Sequence, residues 1–347
     1  APAASPRWRG DAPRPRLSVA PMMEWTTEHY RAFARLLSKE ALLHTEMLPA
    51  ERVLAAEAES PAALAELLAF DPAHRPLAVQ LGGGCPRQVA RAAAICARAG
   101  FDEVNLNVGC PSPAVAHNRS GVVLMKTPEL VHDIAKEAIR ACEGLGVPVS
   151  VKHRLGVDDH DSWEELVSFV RLLANAGVTH FTVHARKALL GVLSAEGNRT
   201  IPPLRYDWVF ALAAAFPELS FELNGGVSCT REALRLLAAD DGRLGGVMVG
   251  RAAYKTPWVL ADADRAVFGR PAAPSASRAE VLERYLEYAA GTFSERTRSG
   301  RAPPGRGAEE LEDALAAPVS FLFEDQGPEF REALLQGLAE LRGSGGR

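Results

Sequence analysis

The sequence predicts an α/β fold, a (β/α)8 TIM barrel followed by a small C-terminal helical domain, and three observations carry that reading. Between Leu17 and about Phe268, eight short apolar runs alternate with longer helix-like patterns. Polar residues recur at the C-terminal ends of these runs, the end at which barrel sites form. Beyond Phe268 the strand signal stops and only helical patterns follow.

The eight runs are Leu17–Ala20, Ala41–His44, Leu77–Leu81, Glu103–Asn107, Val149–His153, His180–Val183, Ser220–Asn224 and Gly246–Val249. Each is too short for a helix. Helical patterns at Glu28–Leu37, Pro86–Ala99, Pro128–Cys142, Ser162–Ala176, Asp207–Phe216 and Thr230–Ala238 lie between them. Ser162 stands at a helix start, and Gly100 and Gly177 stand just past helix ends, as capping chemistry requires. A doubly wound sheet is the alternative. It would place a Gly-x-Gly-x-x-Gly turn after the first strand, where this chain has Ala20-Pro21-Met22-Met23.

Three segments follow: a disordered tail over 1–16, a barrel over 17–269, and a linker with helical domain over 270–347. The tail is rich in Pro, Ala and Arg. It reads as a plain tail or as the remnant of an organellar transit peptide, so a cytoplasmic location is expected, with plastid or mitochondrion as the alternative. Proline in Arg270-Pro271-Ala272-Ala273-Pro274-Ser275 marks the linker. Helical patterns follow at Arg278–Thr292, Ala308–Leu315 and Pro328–Leu341, the first two separated by an arginine-rich loop around Arg298.

No apolar run approaches the roughly 18 residues of a membrane span. The five cysteines are scattered without a Cys-x-x-Cys pair, which argues against a disulfide scaffold or a zinc ribbon and for a reducing compartment. No metal and no membrane partner are expected, and the chain is read as a monomer. Its net charge of −4 means that a nucleic-acid partner must be held by a local basic surface.

The most informative stretch is Asn105-Leu106-Asn107-Val108-Gly109-Cys110-Pro111-Ser112. A strand ends abruptly here, because glycine permits a tight turn and proline cannot continue the ladder. Cys110 is therefore placed at the tip of a strand, although a lone cysteine is often an inert small hydrophobe. Other strand ends carry Gln80, Lys152-His153-Arg154, His184-Ala185-Arg186-Lys187, Asn224-Gly225-Gly226 and Gly250-Arg251. Glycines and a cation after strands seven and eight suit a phosphate. With Lys152 and Gln80 for an electron-rich ring, the set suggests flavin mononucleotide (FMN). Lys152 as a Schiff-base lysine and His184 as a structural histidine are the bland alternatives.

These motifs, with Thr45-Glu46-Met47 and Val151-Lys152-His153-Arg154, resemble the tRNA-dihydrouridine synthases. His184-Ala185-Arg186-Lys187-Ala188, Asn198-Arg199 and Ile201-Pro202-Pro203-Leu204 are similar to the A-type subfamily, associated with tRNA positions 20 and 20a. The resemblance implies FMN held by Ala20, Pro21, Met22, Gln80, Lys152, His184, Asn224, Gly225, Gly226, Gly250 and Arg251. It implies NADPH as reductant and tRNA as partner, with hydride passing from flavin N5 to uracil C6 and Cys110 protonating C5. Such a base must leave its stack. Asn107 is the candidate for the uracil edge, and Arg186, Lys187 and Arg199 for the base or neighbouring phosphates. From Pro271 onward, nine Arg and no Lys face thirteen Asp and Glu, an unusual balance for a phosphate-facing domain. Two rivals remain: an FMN enzyme acting on a free pyrimidine, and a tRNA-binding protein without turnover.

Overall fold

The computed structural model describes residue 8 and residues 13–117, 119–270, 277–298 and 308–322. Eight parallel strands form one sheet: β1 (Leu17–Val19), β2 (Leu43–Pro49), β3 (Leu77–Gly82), β4 (Glu103–Val108), β5 (Val149–Arg154), β6 (His180–His184), β7 (Ser220–Asn224) and β8 (Gly246–Val249). Neighbours in the sheet are neighbours in sequence, and β1 pairs with β8. The ring closes between β1 and the start of β2, where Val19 N–H donates to Leu42 O at 2.9 Å and Leu42 N–H to Leu17 O at 3.0 Å. The predicted (β/α)8 barrel is the observed fold.

Helices cover the outside: α1 (Glu28–Leu37), α2 (Ala50–Glu59), α3 (Pro61–Leu67), α4 (Pro86–Ala99), α5 (Pro113–His117), α6 (Pro128–Glu143), α7 (Trp163–Asn175), α8 (Tyr206–Ala215), α9 (Thr230–Ala238), α10 (Arg251–Lys255) and α11 (Ala263–Ala266). Local chemistry sets their ends. Ser162 and Glu165 form a reciprocal capping box at α7, which satisfies two orphan N–H groups. Proline opens α4 and α6, where its missing N–H costs nothing. Gly100 ends α4 at φ +100, a conformation that a side chain would oppose.

Two differences from the sequence reading have physical causes. The second strand begins two residues later than expected and runs on to Pro49, because a bulge between His44 and Met47 lets Thr45 and Glu46 interrupt the apolar pattern without ending the pairing. Helices α2 and α3 lie in an alanine-rich segment with few helix-face landmarks. Pro61 starts the second of them, and the Ser60 side chain accepts from Ala63 N–H.

Alternation along the strands sends apolar residues outward against the helices. Leu77, Val79 and Leu81, Val104 and Leu106, Phe181 and Val183, and Phe221 and Leu223 are all buried in this layer. The inward set is polar: Ser18, His44, Gln80, Glu103, Asn105, Ser150, Thr182, Glu222 and Asn224 are also buried. At the closed, N-terminal end of the barrel stands Arg14. This residue belongs to the stretch expected to be a disordered tail, yet its side chain lies inside. Its Nε donates to Glu103 Oε2 at 2.8 Å and its Nη1 to Glu222 Oε1 at 3.2 Å. Trp8 Nε1 donates to Glu103 Oε2 at 2.9 Å, Ser18 Oγ to Glu222 Oε1 at 2.7 Å and Thr182 Oγ1 to Glu222 Oε2 at 2.7 Å. Two buried carboxylates need a cation, and the barrel's own strands supply none at that level.

Beyond the barrel, α12 (Arg278–Arg298) packs on α1, and α13 (Ala308–Ala316) packs on α12. Tyr285 is buried edge-on to Phe33 and donates to Leu315 O at 2.8 Å. Helix α12 runs six residues past the expected Thr292 and takes in Arg296–Arg298, the start of the expected arginine-rich loop. The linker at 271–276, the rest of that loop and the helical pattern Pro328–Leu341 lie outside the described residues. Among the described residues, no helix is long and apolar enough to cross a membrane, and no group of three or more His, Cys, Asp and Glu is placed to hold a metal ion.

Candidate active site

The C-terminal ends of the strands bring the candidate residues to one mouth. Cys110, half-buried, sits in the turn after β4, and three contacts fix that turn. Asn107 Oδ1 accepts from Gly109 N–H at 3.1 Å and Cys110 N–H at 3.0 Å. Cys110 O accepts from Val122 N–H at 2.9 Å. Gly109 O accepts from Arg154 Nε at 2.9 Å. Gly121, at φ +74, leaves room for this clasp, since a Cβ there would lie 2.5 Å from Cys110 O.

Asn107 is fully engaged within the protein. Its Nδ2 donates to Gln80 Oε1 at 3.0 Å and faces Met47 Sδ at 3.2 Å. Asn107, the candidate for the uracil edge, is also a holder of the cysteine turn. Gln80 has one further partner, Asn105 Oδ1 at 2.7 Å, which leaves one Nε2 proton. Across the mouth, Lys152 Nζ donates to Asn224 Oδ1 at 3.0 Å, and Asn224 Nδ2 donates to Met248 O at 2.9 Å. Burial, then the charge of Arg154, pulls the Lys152 ammonium down to about 8. It is charged at neutral pH and sheds its proton as the pH rises through that value.

Strands seven and eight form a glycine edge. Gly225 and Gly226 have φ +111 and +75, and a Cβ on them would meet His184 Cδ2 at 2.7 Å and Leu204 Cδ1 at 2.6 Å. Tyr206 Oη donates to Gly225 O at 2.6 Å. Gly250 precedes α10, and a Cβ there would find only Asn224 Nδ2, at 4.0 Å. Ala20 lies behind this edge, with its N–H donating to Val249 O at 2.8 Å, and Pro21 and Met22 open the next loop.

Cations gather here. Burial and the charges of Arg154, Lys152, Arg186 and Arg199 push His184 well below the usual histidine range, so its ring is neutral. Arg251 Nη2 donates to Arg199 O at 3.2 Å, Arg186 donates to Pro202 O, and Arg186 Nε is buried without a hydrogen-bond partner. Among the described residues, no carboxylate forms an ion pair with Lys152, Arg154, Arg186, Arg199 or Arg251. Lys187 is different: its Nζ lies 2.6 Å from Asp161 Oδ2, so it is already neutralised.

Two residues organise the rim in ways that no local sequence pattern announces. Arg154, 2% exposed, donates to Gly109 O, Lys187 O and Asn198 O, joining the loops after β4 and β6. Asn198, fully buried, accepts from Leu189 N–H and donates to Leu189 O, Leu193 O and Ser194 O. A strand-terminal arginine was the available signal for the first, and for Asn198 there was none beyond its place in a motif.

A parallel barrel with a thiol at its rim, a glycine edge and unpaired cations at one mouth defines a class: a (β/α)8 enzyme shaped for an anionic cofactor or substrate. The chain belongs to the dihydrouridine synthase family, whose model, described as "Dihydrouridine synthase (Dus)", matches residues 18–302. It is 45% identical to the tRNA-dihydrouridine(20/20a) synthase of Synechocystis sp., over 82% of this chain and 80% of that protein. It is 42% identical to the Pseudomonas putida protein of the same name, over 91% and 93%. Among solved structures, it resembles the old yellow enzyme homologue of Zymomonas mobilis at a TM-score of 0.50 and 14% identity, covering 79% of this chain and 94% of that one. It also resembles a 2-naphthoyl-CoA reductase complex at 0.51 and 10% identity, where 76% of this chain spans about half (51%) of the other. At these identities the structures speak to the fold alone.

Proposed function

We propose that this protein is an FMN-dependent, NADPH-driven tRNA-dihydrouridine synthase that reduces uridine to 5,6-dihydrouridine in the D-loop, at position 20 or 20a. The observation that carries the reading is Cys110, held at three points on the rim of a mouth whose far side is cationic and glycine-edged. That mouth fits FMN. Gly250 leaves backbone open to a phosphate beside the left-handed turns of Gly225 and Gly226, with Arg251 and His184 close by. Lys152, Gln80, Asn224, Ala20, Pro21 and Met22 line the approach to the ring.

When bound, FMN supplies the hydride for uracil C6. The chain's own part is acid chemistry and positioning. Cys110 Sγ–H delivers its proton to C5, and the clasp by Asn107, Val122 and Arg154 holds the backbone that carries the thiol. The Lys152 ammonium offers positive charge at neutral pH, and neutral His184 donates or accepts without adding to the cation cluster. Arg186 and Arg199 hold the backbone of the displaced nucleotide. Lys187 braces the loop through Asp161. We read the protein as a monomer and place it in the cytoplasm. Given the acidic balance of the sequence from Pro271 onward, the cations that meet tRNA are those at the mouth.

Reoxidation of the NADPH-reduced flavin by unmodified tRNA, by free uridine and by uracil tests this function. Rapid reoxidation by tRNA alone, with dihydrouridine formed, is expected. Equal response to the free pyrimidines would replace it with a small-molecule enzyme, and no flavin turnover would leave an RNA-binding protein. The glycine edge makes a second prediction. Gly226→Ala forces a side chain into φ +75 against Leu204 and Tyr206, at a cost of about 1–3 kcal/mol. Thermal unfolding at a lower temperature and loss of flavin during gel filtration check it.

A further inference from the structure

The inward face of β4 carries Glu103, Asn105 and Asn107 at the two-residue spacing of a strand. Ser150 on β5 and Gln80 on β3 link them into one file that runs the length of the barrel. From the mouth inward, the N–H groups of Gly109 and Cys110 donate to Asn107 Oδ1, and Asn107 Nδ2 donates to Gln80 Oε1 at 3.0 Å. Gln80 Nε2 then donates to Asn105 Oδ1 at 2.7 Å, and Asn105 Nδ2 donates to Ser150 Oγ at 2.8 Å. Ser150 Oγ donates to Glu103 Oε1 at 2.5 Å. Every bond points the same way, toward the carboxylate.

The two ends require that direction. A backbone N–H can only donate, and an ionised carboxylate can only accept. Burial alone would raise the Glu103 carboxyl, but the adjacent Arg14 guanidinium overrides it and holds the group well below the usual range. Between the ends stand three side-chain amides, whose oxygen and nitrogen halves are nearly alike in shape, so packing alone does not choose between them. The hydroxyl of Ser150 makes the choice for Asn105 from the buried end, the N–H groups of Gly109 and Cys110 make it for Asn107 from the mouth, and Gln80 joins the two.

We propose that Ser150 and Glu103, at the closed end of the barrel, are positioning residues for Cys110, acting through the amides of Asn105, Gln80 and Asn107. The inference rests on the reading of Cys110 as the proton donor. Removing the hydroxyl frees Asn105 to turn over. Gln80 and Asn107 are then oriented from the mouth alone, by the Gly109 and Cys110 N–H groups, and the cysteine turn loses the support that the buried end of the file gave it. Hydride supply from NADPH does not use Cys110, and Gln80, which also lines the cofactor approach, stays held by Asn107, so flavin reduction is unaffected.

The test compares Ser150→Ala, Ser150→Thr, Glu103→Gln and the Ala/Gln double variant as FMN-loaded enzymes. Ser150→Ala is expected to lower kcat for reoxidation by tRNA roughly tenfold, since misplacing a reacting group is costly even at a distance. KM for tRNA and the rate of reduction by NADPH stay unchanged. Ser150→Thr, which keeps the hydroxyl, restores the rate, and the double variant is no slower than the slower single one, as members of one file are not additive. A second readout needs no tRNA: peptide-resolved alkylation of Cys110 by iodoacetamide, accelerated in Ser150→Ala and normal in Ser150→Thr. Natural behaviour of Ser150→Ala in both readouts, or a threonine variant as impaired as the alanine one, overturns the proposal. If tRNA fails to reoxidise even the natural protein, the synthase reading falls, while the alkylation comparison still decides whether the file holds the cysteine turn.

Discussion

Cys110→Ala retains FMN and is reduced by NADPH at the natural rate, but its reoxidation by tRNA slows by a factor of about 10²–10⁴, the usual worth of a positioned general acid. The expected split follows from geometry. Cys110 approaches the mouth from the β4 side, whereas the groups suited to the cofactor come from β1, β3 and β5–β8. Its backbone anchors are the Asn107 side chain, Val122 N–H and Arg154, and none of them needs the thiol. The variant therefore keeps its turn and loses only a proton. Rapid-mixing absorbance at the flavin band, with NADPH and tRNA added in separate steps, reads both halves. Slowing of both would mean that Cys110 supports the cofactor, and slowing of neither would remove it from the reaction.

Arg14→Ala is expected to destabilise the fold by about 3–5 kcal/mol, because it strands two buried carboxylates without their cation. In the natural protein Glu103 is held near 2, and Glu222 lies well below its ordinary range; both resist burial through Arg14. A carboxyl lowered on folding contributes stability above its unfolded value, ordinarily 4.5, and loses that contribution as the pH falls toward the folded value. The gap between natural and variant proteins is thus widest at neutral pH and narrows below 4.5. Urea unfolding at pH 7, 5 and 3 measures it, and a gap independent of pH would place the loss in packing rather than charge.

How far the sequence could be read depends on range. Strand positions were legible because both faces of a parallel strand leave local marks: apolar residues outward, and a polar cluster where the strand stops. Gly100, Gly177 and Ser162 act within a few residues of themselves, and their helix ends lie within a residue of where they were expected. The gathering of Gln80, Lys152, Asn224 and Cys110 at one mouth followed from topology, since every C-terminal strand end in a parallel barrel faces the same way. What escaped were choices of partner made across the fold. Nothing near Lys187 shows that Asp161 takes its charge. Nothing near Asn107 shows that all its bonding capacity is spent inside. Arg14 looked like one more arginine in a proline-rich stretch, because its two partners stand 89 and 208 residues away.

The knot at Asn198 has a consequence for how the rim meets a polynucleotide. A loop that is ordered only on contact must give up backbone freedom at that moment, roughly 1–2 kcal/mol for each residue. Here the ten residues from Leu189 to Asn198 are already gathered by bonds to one buried amide and tied to the barrel by Arg154. That entropy is surrendered during folding, in the absence of any partner. The rim is therefore a preformed surface, and for the proposed tRNA contact the work of changing shape falls to the nucleic acid.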